Sequence, residues 1–178
     1  IRCGRLATEQ NSVATEADRT LLLLREDGSS IAMPQTVDQM QADMRQAATR
    51  LAAARTGVLT IGLEEDIVAT LNDLIAAIKE EKASQEKRKR ESSPAPPAGG
   101  QPGDSPLVQK IAELRMMKSL QQRIQSRHSR YADLLESPDD PIGRTDDPDL
   151  RASLEKLARQ QENLGRIARE IVAGVAEP

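Results

Sequence analysis

Apolar residues recur at steps of three and four in five stretches of the chain, which is the spacing of amphipathic helices. The first stretch runs from about Leu6 to Arg25, and Gly28 ends it. The segment "SSIAMP" follows, and we expect it to be extended because a residue that precedes proline is pushed away from the helical region. The pattern therefore predicts a leading helix and an extended connector over residues 1–33.

The second and third stretches predict an antiparallel helical hairpin over residues 34–91. The second begins at Pro34 and carries apolar residues at alternating steps of three and four: Val37, Met40, Met44, Ala47 and Leu51. The third repeats the pattern at Ile67, Leu71, Leu74 and Ile78. Gly57 provides a stop for one helix and Thr60 a possible N-cap for the next. Because the "TGVL" connection is short, the two helices are expected to return antiparallel.

Residues 92–105 are rich in proline, glycine and serine, and this run of prolines and glycines cannot continue a helix. We predict a flexible linker here, followed by a new helix. Ser105 followed by Pro106 is a typical helix start, with an N-cap side chain and a proline in the first turn. Asp147 followed by Pro148 repeats this start signal after the aspartate-rich segment that begins at Asp139.

The last two stretches predict a second helical hairpin over residues 106–178. Its final helix carries a strict seven-residue repeat, in which the polar Gln161 is expected to fix the register at some cost to stability. The side chains expected to form the contact between these helices, here called the predicted seam, are Leu114, Met117, Ile124, Tyr131, Leu154, Leu157, Gln161, Leu164 and Ile171. The fold class is therefore all-α, with long antiparallel hairpins in a coiled-coil-like bundle and a flexible Pro/Gly linker.

Composition supports narrow contacts between helices. The chain has no tryptophan, no phenylalanine and a single tyrosine, so its core must be built from aliphatic side chains and methionine. No apolar run approaches the ~20 residues that a bilayer span requires. The formal net charge of −3 carries no positive excess of the kind typical of nucleic-acid or acidic-membrane binders.

Side chains suited to catalysis are few. His128 is the single histidine and lies among Arg123, Arg127 and Arg130, so we interpret it as a structural or surface residue. Cys3 has no second cysteine to pair with. The aspartates between Asp139 and Asp149 lack the order of a calcium-binding loop and are typical of a polar turn with an N-cap. We predict no catalytic, cofactor-binding or metal site, and a protein that is not an enzyme.

Two basic segments leave open the alternative that the protein binds an anionic partner. One is "KRKR" at residues 87–90, and the other is the helix from Arg115 to Arg130, which has no acidic residue between Leu114 and Ala132. Such a helix could bind nucleic acid or another anionic surface. The acidic total, the lack of stacking aromatics and the absence of a reader motif favour ion pairing or simple solvation instead.

Three phrases carry a resemblance to a known group of proteins: "LLLLREDGSSIAMPQTVDQMQADM", "TGVLTIGLEEDIVATLNDLIAAIKE" and "PLVQKIAELRMMKSLQQRIQSRHSRY". With the final heptad helix, they resemble the C-terminal part of uncharacterised coiled-coil proteins from planctomycete-type bacteria. The resemblance implies a secretion signal upstream and a location in the bacterial cell envelope or periplasm, and it implies no activity. The lone cysteine itself also fits a reducing compartment such as the cytoplasm.

Heptad regularity without catalytic chemistry predicts a non-enzymatic helical scaffold or protein-protein interaction module. Its partners would be a second copy of the chain or a helix of another protein. Binding of nucleic acid or an anionic surface through Arg115 to Arg130 is the alternative.

Overall fold

The computed structural model describes the backbone of residues 2–91, 105–135 and 145–176, with side chains except at 85, 88–91, 105–110 and 171–176. Within these ranges the protein is all-α, with five helices and no strand, which confirms the predicted fold class. The helices are α1 (Arg2–Asp27), α2 (Ala32–Ala52), α3 (Val58–Glu91), α4 (Ser105–Leu135) and α5 (Pro148–Ala176). Most of the predicted linker, residues 92–104, lies outside the described ranges.

The connector between α1 and α2 is shorter than predicted. Gly28 ends α1 with a left-handed φ of 64°, as its position suggested. However, α2 begins at Ala32 and includes Met33, so the expectation of an extended segment up to Pro34 is wrong. Pro34 lies within the first turn of α2, where its missing N–H is not needed. The carboxylate of Glu113 on α4 accepts hydrogen bonds from the free N–H groups of Ile31 (3.1 Å) and Ala32 (2.7 Å).

The turn between α2 and α3 also differs in detail from the prediction. The helix α2 ends at Ala52, and Ala54 adopts the left-handed conformation with φ 55°, before Gly57 is reached. Thr60 lies inside the first turn of α3 and is not its N-cap, because its hydroxyl donates back to the Arg55 carbonyl at 2.5 Å. The short turn nevertheless joins two helices that pack against each other, as predicted.

The starts of α4 and α5 are confirmed at Ser105 and Pro148. The Asp147 side chain is the N-cap of α5, and its Oδ1 accepts hydrogen bonds from the N–H groups of Asp149 (2.9 Å) and Leu150 (3.4 Å). This geometry satisfies two of the N–H groups that a helix start leaves without partners.

The helix α2 is central to the bundle, since it packs against α1, α3 and α4. Its predicted apolar side chains are all buried. Alanines on α1 allow that helix to approach α2 closely. This first core cluster consists of Ala14, Ala17, Leu21, Val37, Met40, Met44, Ala47, Leu63, Ile67 and Leu74.

A second core cluster lies mainly between α4 and α5. It consists of Ala32, Met117, Leu120, Ile124, Tyr131, Leu150, Leu157, Leu164 and Ile167. Tyr131 is the one aromatic side chain of the sequence, and burial raises the pKa of its phenol. The bundle is thus held by two narrow aliphatic clusters, with α4 contacting α2, α3 and α5.

Candidate functional site

Six members of the predicted seam lie together between α4 and α5. Met117, Ile124, Tyr131, Leu157 and Leu164 are buried in the second core cluster, and Leu154 packs against its edge. These side chains pack inside the bundle, so the face that they form is not available to a partner. The prediction for Ile171 concerns a side chain outside the described part of the structure.

Leu114 and Gln161 do not belong to the contact, and their assignment to the predicted seam is wrong. Leu114 is 50% exposed, because the neighbouring Glu113 is the residue that turns toward α2 and caps it. Gln161 is exposed because α5 is rotated slightly from the predicted orientation. The buried line of α5 runs through Leu150, Ser153, Leu157, Gln160, Leu164 and Ile167.

A buried cluster of charged side chains joins α2, α3, α4 and α5, and sequence reasoning did not foresee it. We call it the charge cluster, and its members are Asp43, Asp66, Arg127, Arg130 and Lys156. The Arg127 guanidinium binds both oxygens of Asp43, at 2.8 and 3.2 Å, and its Nε donates to Asp66 at 2.8 Å. Arg130 also donates to Asp66 (2.6 Å), and Lys156 to Asp43 (2.8 Å).

Burial and charge act in opposite directions on Arg127, whose side chain is only 8% exposed. Desolvation alone would lower its pKa, but the charge and hydrogen bonds of Asp43 and the charge of Asp66 outweigh that effect, and the pKa is raised. The guanidinium therefore stays charged and forked between two carboxylates. Such an arrangement fixes how the helices are oriented, because only one register brings all partners together.

The basic face of α4 meets an acidic ladder on α3. Arg115 pairs with Glu80 at 3.0 Å and Arg123 with Asp73 at 2.8 Å, while Arg127 and Arg130 bind Asp66. The three acids are seven residues apart, and their order shows that α3 and α4 run antiparallel. The segment from Arg115 to Arg130 has five basic residues, and four of them therefore have carboxylate partners. The alternative that this helix binds nucleic acid loses support.

A second polar contact ties the start of α5 to the turn between α2 and α3. Asp149 accepts a hydrogen bond from Arg50 on α2 (2.8 Å) and another from Arg55 in the turn. Arg50 also donates to the hydroxyl of Thr60 at 2.8 Å. The hydrogen bond from Arg55, with the nearby charges of Arg55 and Arg50, holds the pKa of Asp149 below its ordinary value.

The surface of α3 that faces away from α4 is apolar and uncovered within the described part of the structure. We call it the α3 stripe, and it consists of Ile61, Val68, Leu71, Ile75 and Ile78. These side chains are between 36% and 56% exposed and repeat at steps of seven, three, four and three. Glu64 occupies the gap in this repeat, and partial burial raises the pKa of its carboxyl. Glu65, Asn72 and Lys79 flank the stripe along one edge and are exposed.

Two cavities beside α4 are too small for an organic ligand. One is lined by residues that include Gly62 and Tyr131, the other by residues that include Gln39 and Arg123, and each offers about 10 Å³, near the least space that can hold one water molecule. Across the described residues, no group of three or more His, Cys, Asp or Glu side chains is placed to hold a metal ion. Among the described helices, none combines the length and apolarity that a bilayer crossing requires.

The structure also shows where His128, Cys3 and part of the segment "KRKR" lie. His128 is exposed on α4, in line with its interpretation as a surface residue. Cys3 is a free, partly exposed thiol near the start of α1. In the segment "KRKR", Lys87 is exposed and the other three side chains are outside the described part. No protein-family model matches the chain, and no match is found among curated proteins or solved structures.

Proposed function

We propose that this protein is a helical scaffold or protein-protein interaction module whose contact surface is the α3 stripe. The observation that carries the proposal is a heptad-like row of aliphatic side chains on the outside of a bundle whose own cores are already filled. Contiguous apolar surface of this kind is typical of sites that bind another protein. An amphipathic helix is a suitable ligand, because it can place its own apolar residues at the same spacing.

The location of the proposed surface differs from the one that the sequence suggested. The predicted seam between α4 and α5 is internal, and its two exposed exceptions, Leu114 and Gln161, are explained by packing within the chain. The stripe on α3 uses residues that the sequence pattern had assigned in part to the hairpin contact, namely Leu71 and Ile78. Exposure of these residues on α3 supports binding through this helix.

Site-specific photo-crosslinking in the native host tests the proposal. A photoreactive amino acid at Val68, inside the α3 stripe, should give light-dependent adducts with protein. The same amino acid at Gln161, exposed on α5, is the matched control and should give none. Absence of adducts at Val68, or equal yields at both positions, would contradict the proposed contact surface.

A further inference from the structure

The charges that flank the α3 stripe select a particular partner. Acidic residues, Glu64 and Glu65, lie toward its N-terminal end, and basic residues, Lys79 and Lys82, lie at its C-terminal end. A helix with this polarity is complementary to itself when a second copy runs in the opposite direction. In a parallel pair the like charges would lie side by side, which is unfavourable.

We propose that two copies of the chain associate through their α3 stripes, antiparallel and around a two-fold axis near residues 72 and 73. The inference rests on the proposed function, since it names the partner of the same surface. The arrangement is isologous, so each contact occurs twice.

One register satisfies both the apolar and the charged positions. Val68 lies opposite Ile78 of the second copy, and Leu71 opposite Ile75 of the second copy, which gives four apolar layers across the axis. Beyond these layers, Glu64 is level with Lys82 of the second copy. Along the exposed edge, Glu65 approaches Lys79 of the second copy, and the two Asn72 side chains meet near the axis. All of these α3 residues are exposed except Glu64, which is partly buried.

Within the described part of the structure, the five side chains of the α3 stripe remain at least 36% exposed. The two internal segments outside the described ranges, 92–104 and 136–144, contain a single large aliphatic residue between them, Ile142. They cannot supply a row of apolar side chains that matches four layers. A second copy supplies that row by symmetry.

Sedimentation equilibrium of the full chain tests the association. The stripe is smaller than a standard protein interface, so we expect a reversible dimer with a dissociation constant in roughly the micromolar range. Val68→Glu should abolish the dimer, because it places carboxylates in two of the four apolar layers. Leu23→Glu is the matched control, because Leu23 is an exposed apolar residue on α1 (65% exposed, against 56% for Val68) and its replacement should leave the dimer unchanged.

Charge reversal tests the direction of the pair. Lys79→Glu should weaken the dimer about tenfold at low salt, since it sets two glutamates against each other at both ends. The double variant Glu65→Lys with Lys79→Glu should restore the wild-type affinity. A parallel pair predicts no such rescue, because residues 65 and 79 would then lie far apart.

The outcomes separate this inference from the proposed function. A monomer at every concentration, or a dimer that survives Val68→Glu, overturns the second-copy assignment. If Val68 then crosslinks in the host to a different protein, the interaction surface stands and only the partner is wrong. If the chain is monomeric and Val68 crosslinks to nothing, both proposals fail.

Discussion

Arg127 connects more than one part of the fold, because it binds Asp43 on α2 and Asp66 on α3 from a position on α4. The sequence contained a signal for this role. No acidic residue lies on α4 between Leu114 and Ala132, the stretch that contains Arg115, Arg123, Arg127 and Arg130, so partners on other helices were to be expected. Asp66, Asp73 and Glu80 repeat at sevenfold spacing and are those partners. Pairing between the arginines of α4 and the acidic residues of α3 could therefore have been inferred from the sequence. The pairing of Arg127 with Asp43 on α2 could not, because it depends on how the helices pack.

The buried position of Arg127 predicts a large effect on stability. Arg127→Met should lower the free energy of unfolding by about 3 to 5 kcal/mol, because it leaves Asp43 and Asp66 buried with fewer partners. Arg115→Met is the control and removes an exposed pair with Glu80, so its cost should be below about 1 kcal/mol. Urea unfolding of both variants gives the comparison. Similar costs would show that the charge cluster contributes no more than surface pairing.

Asp149 predicts a specific dependence of stability on pH. Its folded-state pKa is lowered from the ordinary value of 3.8 by Arg55 and Arg50. The stabilisation it contributes is therefore complete above that ordinary value and is lost as the pH falls through the lowered folded-state pKa. Wild type should exceed Asp149→Asn in urea midpoint at about pH 6, and the difference should vanish toward about pH 2. Asp146→Asn, in an exposed position just before α5, should show no comparable difference at either pH.

At the scale of the helices, apolar spacing predicted which segments are helical and where α4 and α5 begin. It predicted less well which face of α5 is buried. The predicted line and the buried line share Leu150, Leu157 and Leu164. They differ in the residues between, which are Leu154 and Gln161 in the first and Ser153 and Gln160 in the second. Hydrophobicity favoured Leu154 over Ser153, yet Ser153 is the buried one. Its hydroxyl accepts from Gln46 at 3.2 Å and donates to the carbonyl of Asp149 at 2.8 Å. The contact with Gln46 joins segments far apart in the sequence, and such a contact is not readable from spacing alone.

The corrected face of α5 gives a prediction for two residues one turn apart. Leu157→Ala should lower the free energy of unfolding by about 2 to 5 kcal/mol, because it opens a cavity in the second core cluster. Gln161→Ala should change it by less than about 0.5 kcal/mol, since the side chain is exposed. Thermal and urea unfolding of the two variants measure both values. A large loss of unfolding free energy in Gln161→Ala would show that Gln161 does belong to the contact between α4 and α5.

At the scale of the whole molecule, the near-absence of aromatic rings, of which Tyr131 is the single one, explains why two thin clusters replace one thick core. An aliphatic seam can hold a pair of helices along one line, and the charge cluster then fixes how the pairs meet. The sequence predicted the all-α class and the helical pairs. It did not predict which apolar line of α3 would be left outside, because Ile67, Leu71, Leu74 and Ile78 fit one pattern, and only packing against α2 separates the buried from the exposed members.

Disulfide crosslinking of single cysteines on α3 tests the central claim, that the α3 stripe is a contact surface for a second, antiparallel copy. In a Cys3→Ser background, Asn72→Cys lies near the proposed two-fold axis and should form a crosslinked dimer on mild oxidation. Glu65→Cys should not, because the two copies of residue 65 would be about 24 Å apart along the helix axis at ~1.5 Å per residue. Crosslinking at both positions would indicate a parallel pair, and crosslinking at neither would contradict the account.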